Sequence, residues 1–178
     1  MSTTMPDLRY PIGHYHPKPY SEHQKEEWLN DIKFLPQKLE NAILNLDEAQ
    51  LQTPYRDGGW TIQQVVHHIA DSHLNAFCRF RLGLTENKPV IRPFDEKAWA
   101  LLNDVQTIPV NVSITLLYAL HTRWHAMISD LTLKDWEREV YHPQEEKMMT
   151  LWYLLGAYCW HSRHHMAHIT SLRERKNW

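Results

Sequence analysis

The sequence predicts an all-α protein, a four-helix bundle with an extended N-terminal arm and short connecting helices. Four long segments carry apolar residues at three- and four-residue steps, and little of the chain shows the alternation typical of strands. The segments between them are short to moderate in length. At 178 residues the chain fits one core, so we expect a single domain over residues 1–178.

Capping residues indicate where the first two long helices begin. The first is predicted over residues 21–46, where Ser21 is a good N-cap. Pro36 lies inside it and predicts a bend or a local break, because proline lacks the backbone N–H that a helix interior uses. The second is predicted over residues 61–84 and opens with a capping box at Thr61.

The third and fourth long helices are predicted over residues 113–131 and 150–175, with Thr150 capping the last one. The connections are predicted as a helical turn at 47–52, a short helix at 95–103, a polar break at 104–111, a helical turn at 132–136, and a turn or short hairpin at 139–149. Residues 1–20 hold four of the ten prolines and three tyrosines, which predicts an extended arm packed on the body or on a partner subunit.

Composition excludes several classes of function. The 19 basic and 21 acidic residues are nearly balanced, and no basic block suggests binding to nucleic acid. The sequence contains no apolar run of about 18 residues, the length that would predict a membrane span, and its N-terminus lacks the pattern of a signal peptide. Cys78 and Cys159 each lie inside a predicted helix. A reducing compartment would leave both as free thiols. We therefore expect a soluble cytoplasmic protein.

A histidine-rich run, WHSRHHMAH, lies inside the last predicted helix at Trp160–His168 and holds four of the 13 histidines. His161 and His165 are one helical turn apart, as are His164 and His168, so each pair could hold one metal ion. At about 100° per residue, His161 and His165 fall near the centre of the apolar stripe, and His164 falls toward its flank. That stripe consists of Leu151, Leu154, Tyr158, Ile169 and Leu172.

A third ligand is needed to distinguish a metal site from hydrogen-bonded core histidines, which are more common. The second predicted helix offers three candidates. His67 and His68 lie on opposite flanks of its apolar stripe, so periodicity does not choose between them, and His73 lies on the stripe itself. His121 and His125 form a weaker pair on the third helix, because His125 lies at the edge of that helix's stripe.

Other metal motifs have less support. The chain lacks HExxH, and its single Glu-x-x-His, Glu139–His142, falls in a predicted turn, which disfavours zincin-type and di-iron sites. A site of two histidines from the last helix and one from the second would leave positions open for water or substrate, as catalytic zinc sites do. Zinc, nickel, cobalt and iron(II) all accept imidazole ligands.

Four segments carry a resemblance to a known family. They are YPIGHYHP at Tyr10–Pro17, PYRDGGWTIQQVVHHIADSH at Pro54–His73, IRPFDEKAW at Ile91–Trp99, and YCWHSRHHMAHI at Tyr158–Ile169. Together they resemble the YfiT branch of the DinB/YfiT-like metalloprotein superfamily over essentially the whole chain. The resemblance implies a four-helix bundle, a homodimer, and one divalent metal per subunit, with zinc first and nickel, cobalt or iron as alternatives.

The resemblance also implies the ligand set. It selects His68 rather than His67, and it carries over to His161 and His165, in agreement with the helical phase of the last helix. The remaining histidines are left with either a site role or an ordinary packing role. They are His67, His73, His121, His164 and His168.

Members of this branch are generally described as metal-dependent hydrolases, so the resemblance implies water activation at the three-histidine site and a small-molecule substrate. The alternative is a thiol S-transferase that uses a low-molecular-weight thiol such as bacillithiol, which needs no protein general base. A third reading is a non-catalytic dimeric bundle stabilised by its metal. The sequence assigns no catalytic residue beyond the ligands.

Overall fold

The computed structural model describes residues 7–178 and confirms the four-helix bundle. The elements in order are α1 (Glu22–Ile43), α2 (Glu48–Leu51), α3 (Ile62–Thr85), α4 (Glu96–Trp99), α5 (Asn103–Thr107), α6 (Val110–Ile128), α7 (Leu133–Trp136), β1 (Glu139–His142), β2 (Lys147–Thr150) and α8 (Leu151–Lys176). The two strands form the predicted hairpin, and α1, α3, α6 and α8 form the bundle. Within residues 7–178, no helix combines the length and apolar character needed to cross a membrane.

The long helices are arranged so that consecutive ones are not always neighbours. Helix α1 packs against α6 and α8, and α3 packs against the same two helices. Helices α1 and α3 therefore lie at opposite corners of the bundle, although they follow one another in the chain. In a bundle with only short up-and-down connections, consecutive helices would be adjacent. This arrangement places the last helix beside the second long helix.

The predicted starts of α1, α3 and α8 are confirmed by their hydrogen bonds. The Ser21 hydroxyl accepts from the backbone N–H of Gln24 at 3.1 Å, and Thr61 forms the predicted capping box with Gln64. The Thr150 hydroxyl accepts from the N–H of residue 153 at 3.0 Å. Each contact satisfies a backbone donor that the first turn of a helix leaves free.

The short helix predicted at 95–103 is present and is capped by Asp95, but it ends earlier, and the predicted polar break at 104–111 is wrong. Helix α4 ends at Trp99, a separate helix α5 covers Asn103–Thr107, and α6 begins at Val110 rather than near residue 113. Ile108 is extended (φ −92°, ψ 132°) because it precedes Pro109, and this ends α5. Pro109 then occupies the N-cap of α6, where its missing N–H removes no helical hydrogen bond.

Pro36 does not break its helix, because α1 runs unbroken from Glu22 to Ile43; a bend at this position, the other predicted outcome, stays a prediction. Proline at position 36 cannot donate to the carbonyl of Ile32, four residues earlier. That carbonyl instead lies 2.5 Å from Nδ1 of His121 on α6. A carbonyl oxygen only accepts, so His121 donates here. Pro36 thus leaves a free acceptor that joins two helices.

The core consists of two apolar clusters separated by a polar layer across the bundle. One cluster includes Trp28, Phe80, Trp124, Trp136 and Leu155. The other includes Leu39, Ile62, Ile69, Leu117 and Leu172. Along α3, α6 and α8, the residues between the clusters include buried His73, His121 and Ser162. We call this region the polar layer.

The described part of the N-terminal arm packs on the body, as predicted; residues 1–6 lie outside the described residues. The Tyr15 hydroxyl donates to the carbonyl of Tyr153 at 3.2 Å. Further along, the Trp152 indole N–H donates to the carbonyl of Lys18 at 2.7 Å, and Tyr20 packs edge-on against the same indole. The arm therefore lies along the start of α8.

Gly156 is the point where the arm and α1 approach α8 most closely. A Cβ at this position would lie 2.4 Å from Cη2 of Trp28 and 2.4 Å from the hydroxyl of Tyr15. We expect Gly156→Ala to lower the free energy of unfolding by about 1–3 kcal/mol through overpacking, measured by chemical denaturation. Helix propensity alone predicts the opposite sign, a gain of about 1 kcal/mol, so a stabilised variant would contradict this expectation.

Candidate metal centre

The structure brings His68, His161 and His165 together beside the polar layer. One ring nitrogen of each lies within 4.8 Å of the others. Nε2 of His68 on α3 is 3.0 Å from Nε2 of His161 on α8. The rings of His161 and His165, one turn apart on α8, have centroids 4.4 Å apart. These are the three residues predicted as metal ligands.

Trp60, the last residue of the loop before α3, shields these rings. Its ring centroid lies 4.6 Å from that of His68 and 6.2 Å from that of His165, nearly parallel to the latter at 19°. Gly58 in the same loop has φ +60°, which a glycine adopts without strain. The loop conformation thus places an indole over two of the three imidazoles.

Burial keeps the three imidazoles neutral. It lowers the pKa of His68 to about 4, with His164 as the second cause. Burial, followed by the neighbouring histidines, also lowers the pKa of His161 and of His165 well below the usual value. Neutral imidazole is the form that binds a metal ion, so at neutral pH each ring has a lone pair available.

The unpaired nitrogens of this cluster fit a divalent metal. Nδ1 of His161 and Nδ1 of His165 are buried without a hydrogen-bond partner among the described residues. Buried polar atoms without partners destabilise a fold. A cation bound by one nitrogen of each ring would satisfy three imidazole lone pairs together. A set of three imidazoles with no carboxylate suits zinc, nickel, cobalt or iron(II) better than magnesium or calcium.

His67, the alternative that periodicity left open, faces a different helix. Its Nε2 lies 3.0 Å from the carbonyl of Ile108, so this nitrogen must carry the hydrogen. Its Nδ1 therefore accepts from the hydroxyl of Ser113 at 2.7 Å. Both nitrogens of His67 are engaged with the α5–α6 region, and they are not free to hold a metal.

His73 and His121 form a hydrogen-bonded chain within the polar layer. Because His121 donates from Nδ1 to Ile32, its Nε2 accepts from Nδ1 of His73 at 2.9 Å. Nε2 of His73 then faces the hydroxyl of Ser162 on α8 at 3.2 Å. The chain joins all four long helices directly beneath the candidate ligands, and it gives these two histidines a structural role.

Acid is expected to destabilise the metal-free protein through such histidines. Burial lowers the pKa of His121 to about 4 and also lowers that of His67, against an unfolded value of 6.5. Between about pH 6.5 and pH 4 the unfolded chain therefore binds more protons than the folded one, so stability is full above pH 6.5 and falls as the pH drops through this range. Denaturation midpoints of the chelated protein at about pH 8 and pH 5 measure the effect, and equal midpoints would contradict it.

His164 and His168, the second pair on α8, are buried too. Helical phase put His164 toward the flank of the stripe, but Tyr10 of the arm and Trp160 cover it, with ring centroids 5.8 and 4.7 Å away. His168 stacks on Tyr55 at 3.9 Å. Contacts from outside the helix, which phase does not include, therefore decide their burial.

Asp71 does not orient an imidazole, although it lies one turn beyond His68. Its carboxylate has no hydrogen bond or ion pair among residues 7–178. Burial, helped by Asp104, raises its pKa to about 6. The nitrogens of the three candidate ligands thus lack the carboxylate partner that metal-bound histidines often have.

Two clefts converge on the cluster, with volumes of about 930 and 690 Å³. The larger reaches His161 past Ser72, Tyr158 and His142. The smaller is lined by the five histidines 68, 161, 164, 165 and 168, together with Trp60. Residues lining both clefts are Glu96, Lys97, Trp160 and His161. His161 is the one candidate ligand that borders both.

Sequence reasoning missed one polar group of the larger cleft. Arg79 on α3 donates to the hydroxyl of Tyr158 at 2.7 Å and to the carbonyl of Arg92 at 2.8 Å. A charged residue on an amphipathic helix is usually exposed to solvent, so nothing in the local pattern distinguishes it. Only the packing of α3 against α8 reveals this contact.

Comparison with known proteins identifies the family. Residues 31–169 match the DinB superfamily. The chain belongs to the DinB superfamily. Its match to that family includes α3 and the histidine run of α8, and therefore all three candidate ligands.

Full-length relatives of this DinB-superfamily chain come from Bacillus species. It is 49% identical over 176 residues to "Putative metal-dependent hydrolase YfiT" of Bacillus subtilis strain 168, covering 98% of this chain and 99% of that protein. A "Putative metal-dependent hydrolase" of Bacillus cereus strain 03BB102 is also 49% identical, over 177 residues that cover 98% of this chain and all of that protein.

A solved structure has the same fold. The structure of YfiT from Bacillus subtilis, described as "a probable metal-dependent hydrolase with an unusual four-helix bundle topology", superimposes with a TM-score of 0.93. The match covers 96% of this chain and 98% of that one, at 49% sequence identity. The diagonal placement of α1 and α3 described above is consistent with that topology.

Proposed function

We propose that this chain is a metal-dependent hydrolase whose catalytic divalent ion is held by His68, His161 and His165. The observation that carries the proposal is the meeting of three neutral imidazoles at the junction of two clefts, with His68 and His165 buried and His161 partly exposed. Full-length relatives at 49% identity that are named as metal-dependent hydrolases support it. Zinc is the first candidate ion, and nickel, cobalt and iron are alternatives.

A divalent ion in such a site supplies Lewis acidity, which lowers the pKa of a coordinated water and polarises a carbonyl group. The chain's own residues provide the rest. Neutral imidazole ligands leave the positive charge of the ion uncompensated, which favours negative charge developing on the substrate. Trp60 excludes water from one side of the cluster, and the Arg79–Tyr158 pair offers polar contacts in the larger cleft.

The clefts suit a small-molecule substrate, because their volumes are within the range of typical small-molecule sites. We further propose a single domain over residues 1–178, because all four long helices and the arm meet around one layered core. Two free thiols, exposed Cys78 and buried Cys159, fit a cytoplasmic location. A homodimer is supported by the exposed apolar side chains Leu101, Val112 and Leu116, and light scattering tests it.

The test of hydrolysis is a panel of ester and amide substrates assayed with the zinc-loaded protein. We expect turnover of at least one class, loss of turnover on chelation, and recovery when zinc is added back. His161→Ala should abolish the same activity, because this residue borders both clefts. Turnover that chelation does not change would count against the proposal.

Thiol transfer is the second candidate, because two clefts rather than one reach His161 and a two-substrate reaction needs room for both reactants. Bacillithiol and a model electrophile, incubated with and without chelator, separate it from hydrolysis. Conjugate formed only with metal present would favour transfer. Metal binding without either reaction would favour a purely stabilising ion.

A further inference from the structure

The three proposed metal ligands, His68, His161 and His165, do not account for the other histidines of the run at Trp160–His168. His164, His165 and His168 also place one ring nitrogen each within 4.8 Å of one another, and all three residues are buried. They lie on one helix, where His164 and His168 repeat the one-turn spacing of His161 and His165. The ring centroids of His164 and His168 are 4.3 Å apart.

The hydrogen bonds of these residues leave nitrogens free. Nε2 of His168 lies 3.3 Å from the carbonyl of Arg9, and because a carbonyl only accepts, this nitrogen carries the hydrogen. Nδ1 of His168 therefore has a lone pair and no hydrogen. It is buried and has no partner among the described residues, as is also true of Nδ1 of His164 and of His165.

We propose that His164, His165 and His168 form a second divalent-metal site that shares His165 with the first. Two observations carry it: one ring nitrogen of each residue lies within 4.8 Å of the others, and each residue has a buried Nδ1 without a partner among residues 7–178. A cation is the simplest single species that would satisfy several imidazole lone pairs together. All three residues line the smaller cleft, as do His68 and His161, so an ion that enters this cleft reaches both proposed metal sites.

Because the two sites share His165, we expect them to differ in their affinity for the metal ion. A neutral imidazole has one lone pair, so His165 binds one ion at a time. When the first site is filled, the second retains only His164 and His168 as full ligands. In addition, Arg175 donates to the carbonyl of Tyr55, and Arg56 lies 5.3 Å from the centroid of the Tyr55 ring, which stacks on His168. The positive charge of these two arginines weakens the binding of a dication. The second ion should therefore bind more than about 100-fold more weakly than the first, because loss of a ligand costs more than loss of an outer partner.

Zinc titration of the chelator-stripped full chain, by calorimetry and by competition with a chromophoric chelator, tests the inference. Wild type should bind a tight ion and then a weaker one. His164→Ala with His168→Ala should lose only the weaker one. His68→Ala with His161→Ala should lose the tight ion but keep one, bound more tightly than the second ion of wild type because His165 is released.

Controls separate this site from other zinc ligands. His23→Ala removes an exposed histidine of α1 and should change neither binding step. His14→Ala with His16→Ala tests chelation by the arm; loss of the weaker ion in that variant would overturn the inference. A wild-type chain that binds a single ion, or a His164→Ala, His168→Ala variant that still binds two, would overturn it as well.

Circular dichroism shows whether the variants fold, and for His164→Ala with His168→Ala the retained tight binding step shows it as well. Should the double variants unfold, His164→Gln alone should weaken only the second step, and an unchanged second step would overturn the inference. The second site can be tested without any hydrolysis assay, because the measured quantity is the number of zinc ions bound per chain. Failure of the second site leaves the tight ion and its chelation-sensitive activity intact, whereas failure of the proposed function removes turnover without changing the two binding steps.

Discussion

Replacing His161 with alanine is expected to lower the zinc affinity of the tight site, formed by His68, His161 and His165, by more than about 100-fold. Removing a residue that hydrogen-bonds to a metal ligand costs about 10- to 100-fold in affinity, and removing the ligand itself costs more. His161 is the central residue of the proposed triad. Its Nε2 lies 3.0 Å from that of His68, and its ring lies 4.4 Å from that of His165. Competition against a chelator of known affinity measures the change.

His67→Ala is the matched control for His161→Ala. His67 is a buried neighbour of His68, but its two nitrogens contact Ser113 and Ile108 rather than the cluster. We expect this variant to lose stability and keep the zinc affinity of the tight site. Loss of the tight site in His67→Ala, or its retention in folded His161→Ala, would contradict the proposed ligand set.

Trp124→Ala is expected to destabilise the fold by about 3–5 kcal/mol, the range for truncating a buried aromatic side chain. Trp124 is fully buried on α6 and packs edge-on against Phe80 at 5.4 Å. It also packs against His73 and His121, both at 5.5 Å, so its loss would leave a cavity beside the polar layer. Denaturant unfolding of the chelated protein measures the loss without a contribution from bound metal.

Trp124→Phe separates the packing of this side chain from its polar atom. The indole nitrogen of Trp124 has no hydrogen-bond partner among the described residues, so phenylalanine removes an unsatisfied donor while keeping most of the ring contacts. We expect a clearly smaller loss than for alanine. Equal losses for the two variants would indicate that the cavity beside the polar layer is not the main cause.

The extent of the long helices could be predicted because the signals are local. Ser21, Thr61 and Thr150 cap their helices as expected, and each cap depends on residues two or three positions away. The spacing of His161 and His165 is equally local, since residues four apart share a helix face. Neither a break at Pro36 nor a polar break at 104–111 occurs, because the outcome there depends on a distant partner or on short segments with little periodicity.

The histidines show where local signals end. His67 and His68 lie at similar angles on either side of an apolar stripe, and nothing nearby distinguishes them. The packing of α3 between α6 and α8 does, because it directs one ring toward Ser113 and the other toward His161. The family resemblance selects His68, and His68 is the one of the two whose ring faces His161. The ligand assignment itself stays a prediction until metal binding is measured.

The sequence by itself determined the four helices, their caps and the one-turn pairs of histidines, because helix periodicity is encoded within a few residues. Only the tertiary structure decided which histidines meet, which are used to join helices, and which keep free nitrogens. His68 and His161 are 93 residues apart in the chain, and their rings meet because α3 and α8 are neighbours in a bundle whose first two long helices lie diagonally. Such contacts depend on side-chain packing between distant segments, which no local pattern contains.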